Sequence, residues 1–389
     1  MPHLSFTGGT RERVRVEADG AAEASDGRPS GPVLMVAGAR PNFMKIAPLQ
    51  AELDRREIPS VLVHTGQHYD PAMSDVFFDE LGIRPPDHHL EVGSGSHAVQ
   101  TARIMESFEP VMESEWPSWV VVPGDVNSTV ACSLVAAKLG VRVAHLEAGL
   151  RSRDWAMPEE VNRVVTDRVS SLLLAPSADA VENLRAEGYP TESVALVGNI
   201  MADTLLSNLE RARSRTILEE LGLQPGGYGL VTLHRPSNVD DPEMLRGLLE
   251  VLAEIASTLP LIWPVHPRVR PKVEAMALPT TLRTVAPVGY LDSVALQSGS
   301  RVVLTDSGGM QEETTVLGVP CVTLRTTTER PITISEGTNQ LVGTDPGAIL
   351  RAVDRALAGE IAGRRPALWD GRTAQRTVDA LLAAPSRHP

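Results

Sequence analysis

The feature that most constrains the fold is a rhythm. Short apolar runs return along the chain, each closed by a polar or glycine-containing break and followed by a stretch patterned as a helix. VLMVAG (33–38) is one such run, ended at Arg40-Pro41. Met44, Ile46 and Leu49 then fall on one helical face, with Asn42 placed to cap that helix. SVLVHTGQHYD carries a strand to His64 and a polar turn with Gln67, His68 and Tyr69, ahead of a helix over Met73–Leu81. After an amphipathic helix over 97–115, the unit repeats as a strand at Trp119–Val122, the turn Pro123-Gly124-Asp125 and a helix over Ser128–Leu139. VRVAHLEAG, a helix from Pro158 to about Val169, LLLAPS and SADAVENLRAEG repeat it again. Strand alternating with helix this regularly implies βαβ units, a parallel sheet and an α/β fold. Such sheets bind ligands at the carboxyl ends of their strands, and Arg40, Gln67, Asp125, Glu147 and Arg151 all fall there.

VALVGNIMADTLL (194–206) reads as a connection, after which the rhythm restarts: strand GLVTLH (229–234), helix 242–258, strand 260–267, helix 291–298. Two such halves and a last helix, TAQRTVDALLAA, predict two Rossmann-like domains with a cleft between them. The second half centres on RVVLTDSGGMQEETTVLGVPCVTLRTTTERP (301–331). Here a strand at Val302–Leu304 breaks at Asp306-Ser307-Gly308-Gly309 into a helix over Met310–Leu317, and a second strand follows over Val319–Leu324. A Gly-Gly turn lets backbone approach a ligand, and helix N–H groups suit an anion. Ser307 adds a hydroxyl, and Glu312 and Glu313 lie one turn further in, where a carboxylate accepts from paired sugar hydroxyls. The spacing is neither a dinucleotide fingerprint nor a Walker loop. It suits a diphosphate with a ribose beside it, and an ordinary strand-to-helix turn stands as the plainer reading.

Composition narrows the partners. A length of 389 residues accommodates two α/β domains, and a net charge of −13 argues against a general nucleic-acid binder. Cys132 and Cys321, both in apolar stretches, read as core residues and not as a disulfide framework or zinc motif. No apolar run is long enough to span a membrane. The first 31 residues, rich in Gly, Ala, Ser and charge, lack the apolar core of a signal peptide. A flexible tail and a cytoplasmic protein are expected.

Four side chains at strand ends or helix starts are acid/base candidates: Asp125, Glu147, Glu159 and His234. Clustered carboxylates push their pKa values apart, so that one accepts a proton while another donates. Each also has a structural reading. Asp125 suits a cap on the 128–139 helix, Glu147 a partner for Arg151, Glu159 a helix-dipole partner, and His234 a core histidine. Arg40 and Lys45, beside a helix start, suit a phosphate or carboxylate, or else solvent.

The chain resembles the UDP-N-acetylglucosamine 2-epimerases, the non-hydrolysing kind in particular. GARPNFMKIAPL, TGQHYD, PGDVNST, AHLEAGLRS, MPEEVNR, GN, LHRPSNVD, PVHP, LTDSGGMQEE, TTERP and GTNQLVG carry the resemblance, in order, over about residues 33 to 383. It implies a GT-B architecture: two Rossmann-like domains whose parallel sheets face a central cleft. The implied division is a tail (1–31), an N-terminal domain (32–198), a C-terminal nucleotide-binding domain (199–368), and a final segment (369–389) whose helix packs back on the first domain.

The resemblance also implies reversible C2 epimerisation of UDP-N-acetylglucosamine to UDP-N-acetylmannosamine, or of a close UDP-2-acetamido sugar, for cell-surface polysaccharide biosynthesis. UDP would be eliminated and re-added through a 2-acetamidoglucal, with no cofactor and no metal. Asp125, Glu147, Glu159 and His234 would be catalytic. Arg40, Lys45, Arg163, His234, Ser307, Gly308, Gly309, Glu313 and Arg330 would bind substrate, Glu313 taking the ribose and Arg330 the sugar or the closed state. Gln67 and His68 would touch a second UDP-N-acetylglucosamine acting as activator, and a homodimer is implied. Ala39, Asn42, Pro123, Pro236 and Ser237 depart from the commoner residues of the pattern, a set suited to tuning the sugar recognised, and Tyr69 departs in the activator loop, which argues against allosteric control. Two other readings compete: a hydrolysing 2-epimerase releasing UDP and N-acetylmannosamine, and a GT-B glycosyltransferase or nucleotide-sugar sensor. Joint retention of Asp125, Glu147 and Glu159 favours an enzyme acting at C2.

Overall fold

A computed structural model of the chain describes residues 31–66, 78–276 and 278–384. The N-terminal tail and the loop residues Gln67 and His68 lie outside the described residues, as does the side chain of Arg40. So does most of the helix expected over 73–81, of which residues 78–81 are described.

Two sheets carry the fold, and every pairing in both is parallel. The first contains β1 (Val33–Ala37), β2 (Ser60–His64), β3 (His88–His89), β4 (Trp119–Pro123), β5 (Arg142–Leu146), β6 (Leu172–Ala175) and β7 (Val194–Leu196), in the order β3-β2-β1-β4-β5-β6-β7. Its connecting helices are α1 (Arg40–Arg55), α2 (His97–Glu115), α3 (Asn127–Lys138), α4 (Pro158–Val169) and α5 (Ala178–Ala186). The second sheet contains β8 (Gly229–Thr232), β9 (Leu261–Pro264), β10 (Leu282–Val285), β11 (Val302–Thr305), β12 (Cys321–Thr323) and β13 (Asn339–Leu341), in the order β10-β9-β8-β11-β12-β13. β1 and β4 are buried at all five positions, because helices cover both faces of such a sheet.

Strand order reverses between β1 and β4 in one sheet and between β8 and β11 in the other. At these switch points neighbouring loops part and leave a crevice. Gly38-Ala39 and Gly124-Asp125 border the first crevice; His234 and Asp306-Ser307-Gly308 border the second.

The stretch 194–206, read as a connection, instead holds β7 and the start of α6 (Ile200–Arg213), a helix that packs on α1. Interruptions hid that role: Gly198-Asn199 breaks the apolar run, and Asp203 and Thr204, both buried, fall between the buried Ile200, Met201 and Ala202 and Leu205. Strands β3, β10 and β13 also escaped the sequence reading, being two to four residues long and partly exposed. The second sheet is flanked by α7 (Pro242–Ala256), α8 (Tyr290–Gly299), α9 (Gly308–Leu317) and α10 (Pro346–Leu357).

The last helix, α11 (Thr373–Ala383), returns to the first sheet. Ala374, Val378 and Leu381 join the core that contains Val33, Ile46 and Leu49, and Arg56 Nη1 meets Asp379 at 2.6 Å. Asp203 of α6 caps α11, accepting from the N–H groups of Thr373 and Ala374 at 3.0 and 2.8 Å. Cys132 and Cys321 are both buried and free. Among the described residues, no helix is long and apolar enough to cross a membrane.

Candidate active site

The first-sheet side of the cleft is built by the ends of β4 and β5 and the starts of α1 and α4. Asn42 does not sit at the cap of α1 but two residues inside it. Its carboxamide accepts from the N–H groups of Gly38 and Ala39 at 3.0 and 2.9 Å and donates to the Pro123 carbonyl at 3.2 Å. Asn42 and Pro123 are thus in contact and tie α1 to the end of β4.

Asp125 does not cap α3, whose cap position is Val126. Its carboxylate pairs with Arg163 Nη2 at 2.5 Å, and its carbonyl accepts from Asn162 at 2.9 Å. His145, buried, spans Asp167 at 2.6 Å and the Gly124 carbonyl at 2.7 Å, so both ring nitrogens are committed to holding this turn. Burial acts to raise the Asp125 pKa, but Arg163 and Lys45 outweigh it and hold the carboxyl below its ordinary value. Arg163 also pairs with the buried Glu160, which accepts from the Ser152 and Arg153 N–H groups at 2.9 and 2.8 Å.

Glu147 sits just past β5 with φ 78, a left-handed backbone that a non-glycine residue adopts at some cost. It pairs not with Arg151 but with Lys45, Nζ to Oε2 2.5 Å. Its other oxygen, Oε1, is buried without a hydrogen-bond partner. A buried carboxylate oxygen with no partner is costly, and it is available to a substrate proton. Of the two partners expected for Lys45, a phosphate or a carboxylate, the structure supplies the carboxylate. Arg151 is buried between Asp167 and Glu187 at 2.7 and 2.6 Å. Glu159, at the start of α4, is half-buried and lies within electrostatic range of Arg235 from the second sheet.

On that second side, Asp306 organises the loop after β8. Its carboxylate accepts from the N–H groups of His234 and Arg235 at 3.0 and 2.9 Å and from Asn238 at 3.1 Å. His234 is no core histidine: its Nδ1 lies 3.1 Å from Asp306, and the rest of the side chain is half exposed. Burial raises the Asp306 pKa, yet the His234 contact and the backbone donors bring it below normal.

Ser307 occupies the cap position of α9 without its hydroxyl bonding the helix, which leaves both hydroxyl and helix end to a ligand. A Cβ on Gly308 would lie 2.7 Å from Arg330 Nη1 and 2.8 Å from Glu329 Oε1, so a side chain here would displace that ion pair. Gly309 is less crowded, the nearest atom, from Met201, being 3.9 Å away.

Successive helix residues point about 100° apart, and α9 uses this to send two carboxylates to different places. Glu313 meets Gln297 Nε2 at 2.7 Å, with burial and Glu312 pushing its pKa up to about 7 against the Gln297 bond. Glu312 instead faces the carboxylate cluster, accepting from Asn199 at 2.9 Å and pairing with Arg330 Nε at 2.9 Å. Burial and nearby Glu147 push its pKa up to about 7, with Arg330 opposing.

Arg330 also pairs with Glu329 at 2.5 Å. Burial lowers its pKa, and Glu312, Glu329, Glu147 and Asp125 more than reverse that. Glu329, also bonded to Arg325 at 2.8 Å, is held far below the carboxylate range despite its burial by Arg330, Arg325 and Arg163. Asp306 and Glu329 are site residues to which the sequence reading gave no role, and Glu312 was read only with Glu313, as a partner for sugar hydroxyls. Their signal was position alone, beside Ser307, beside Glu313 and inside TTERP.

Residues 51–382 match the family profile described as UDP-N-acetylglucosamine 2-epimerase. A UDP-N-acetylglucosamine 2-epimerase of Methanococcus maripaludis is 40% identical over 359 residues, covering 90% of this chain and 97% of that protein. A UDP-2,3-diacetamido-2,3-dideoxy-D-glucuronate 2-epimerase of Pseudomonas aeruginosa is 39% identical over 354 residues, covering 90% and 99%. The crystal structure of the Methanocaldococcus jannaschii UDP-GlcNAc 2-epimerase in complex with UDP-GlcNAc and UDP superposes with a TM-score of 0.84 at 38% identity, covering 90% of this chain and 99% of that one. The expected GT-B architecture is therefore the one observed. With two parallel sheets, matched motifs and this level of identity, the chain belongs to the UDP-N-acetylglucosamine 2-epimerase family.

Proposed function

We propose that this protein catalyses reversible C2 epimerisation of UDP-N-acetylglucosamine, or of a close UDP-2-acetamido sugar, by elimination and re-addition of UDP. The observation that carries the reading is the juxtaposition across the cleft. Asp125, Glu147 and Glu159 line one side, while His234 and the Ser307–Gly308 helix start line the other, linked by the field around Arg330. The C2 proton is not adjacent to a carbonyl and is not acidic in the ground state. As the C1–O bond to UDP breaks, positive character at C1 acidifies C2, and a carboxylate takes the proton to leave a 2-acetamidoglucal. Return of UDP with protonation from the opposite face gives the 2-epimer. Such a path requires acid/base groups on two faces and firm retention of the departing diphosphate.

Glu147, with one bound and one unpartnered oxygen, is our candidate for one face; Asp125 and Glu159 are candidates for the other. Arg40, His234, Ser307, Gly308 and Gly309 would hold the diphosphate, with Lys45 and Arg163 setting the carboxylates. Glu313 would take the ribose, and Arg330 would bridge the two sides when the cleft is closed. The division of the chain into residues 1–31, 32–198, 199–368 and 369–389 belongs to this reading, as do a homodimer, a cytoplasmic site of action, and a second UDP-N-acetylglucosamine at Gln67 and His68. The motif resemblance supports these last elements.

The test is proton NMR with UDP-N-acetylglucosamine in deuterated water, without added cofactor. Deuterium at C2 and a new manno-configured UDP-sugar are expected. Accumulation of free N-acetylmannosamine with UDP would replace the proposal by the hydrolysing reaction, and an unchanged spectrum would move the search to 3-amino and uronic acid UDP-sugars.

A pH dependence follows from Glu313. A charged carboxylate accepts from both ribose hydroxyls, whereas its neutral form brings a competing proton. With its pKa near 7, substrate KM is expected to rise as pH falls through about 7. Glu313→Ala should raise KM at alkaline pH and close the gap to wild type in acid. A gap constant with pH would reject the ribose role.

A further inference from the structure

The described chain resumes at Phe78, and Glu80 of the helical segment over 78–81 reaches across to the second sheet's unit. Its Oε2 accepts from the backbone N–H groups of Tyr290 and Leu291 at 2.8 and 3.3 Å. These are the first two residues of α8, and their cap residue, Gly289, has no side chain to offer them. A Cβ on Gly289 would lie 2.7 Å from Glu80 Oε1, so the missing side chain is what admits the carboxylate. The segment is also fixed through its backbone, since Arg211 Nη1 donates to the Glu80 carbonyl at 2.7 Å while bonded to Asn208 at 2.8 Å on α6. An ionised carboxylate on two free N–H groups of a helix start is a charge-assisted, dipole-aligned contact.

Helix α8 carries Tyr290 and Gln297 on one stripe, about two turns apart. Gln297 donates to Glu313 at 2.7 Å, and the buried Tyr290 hydroxyl faces the same carboxyl. Glu80 therefore fixes, from the first unit, the helix whose side chains fix Glu313 in the second.

We propose that Glu80 is a positioning residue for nucleotide binding: it clamps the start of α8 to the first unit and, through Tyr290 and Gln297, sets the orientation of Glu313. Only its last link rests on the ribose assignment above. Glu80 touches neither substrate nor reacting atoms, so its effect falls on KM and UDP affinity and not on kcat.

The experiment is calorimetric UDP binding together with steady-state kinetics for Glu80→Ala, Glu80→Gln, Gly289→Ala, Glu313→Ala and the double variant Glu80→Ala/Glu313→Ala. Glu80→Ala should weaken UDP about tenfold, within the usual range for coupling between sites, with KM raised in parallel. Glu80→Gln keeps an acceptor oxygen for both N–H groups and should recover most of the loss. Gly289→Ala leaves Glu80 in place but crowds it, and should weaken UDP in the same direction even where Glu80→Ala folds poorly. In the Glu313→Ala background, Glu80→Ala should weaken UDP no further. Unchanged UDP affinity in both Glu80→Ala and Gly289→Ala overturns the clamp, and losses that add in the double variant overturn its route through Glu313. Unchanged affinity in Glu313→Ala alone refutes the ribose assignment separately, and the Glu80 and Gly289 variants then decide the clamp by themselves.

Discussion

Glu147→Gln is expected to lower kcat about a thousandfold while UDP affinity stays within about twofold, the middle of the range for removing a positioned general acid or base. Glutamine keeps the shape of the side chain and an acceptor for Lys45, so the 2.5 Å contact loses its charge but not its geometry. What disappears is the ability of the unpartnered oxygen to take and return a proton. Incorporation of solvent deuterium at C2 should fall in step with kcat, because both depend on that transfer. Collapse of UDP affinity in the same variant would show that Glu147 holds the nucleotide or the local fold, and would remove it from the acid/base set. The contrast matters because Glu147 has a left-handed backbone, a conformation kept at some energetic cost and found often at functional sites.

The second large effect is on stability. Arg163→Met is expected to destabilise the protein by about 3–5 kcal/mol near neutral pH, the usual cost of removing one member of a buried ion pair. Arg163 is buried between Asp125 and Glu160, and the variant leaves two carboxylates facing each other without their cation. Both pKa values lie below their ordinary values in the folded protein. Their stabilisation is therefore present above the unfolded pKa values and lost as pH falls through the folded ones. Chemical denaturation near neutral pH and at about pH 4 should consequently show the gap between wild type and Arg163→Met narrowing in acid. A gap that is small, or that does not move with pH, would mean that solvent and not Arg163 balances these carboxylates.

The alternation of apolar runs and helical stretches gave the parallel α/β layout because both are local properties: a strand buried on both faces must be apolar throughout, and a helix on its surface must be apolar on one side. The same alternation placed Asp125, Glu147, His234 and Ser307 at strand ends, hence near a cleft. It failed where local pattern is weak, at the two-residue β3, at β7 and at the start of α6, where Asp203 and Thr204 interrupt the apolar residues.

Which charge neutralises which was not legible. Lys45 and Glu147 are 102 positions apart, Asp125 and Arg163 are 38 apart, and Glu80 and Tyr290 are 210 apart. From sequence, Glu147 had a nearer candidate in Arg151, and Asp125 a nearer role as a cap. Sequence by itself determined the fold class, the motif order and the residue types at the cleft. The tertiary structure alone decided that Glu312 faces Asn199 and Arg330 while its neighbour Glu313 faces Gln297, that Asp306 orients His234, and that Glu80 holds α8. Electrostatic and hydrogen-bond energies fall with distance in space, and only the alignment of strand ends within each sheet, with the packing of one unit on the other at Glu80, brings these groups within a few ångströms of one another.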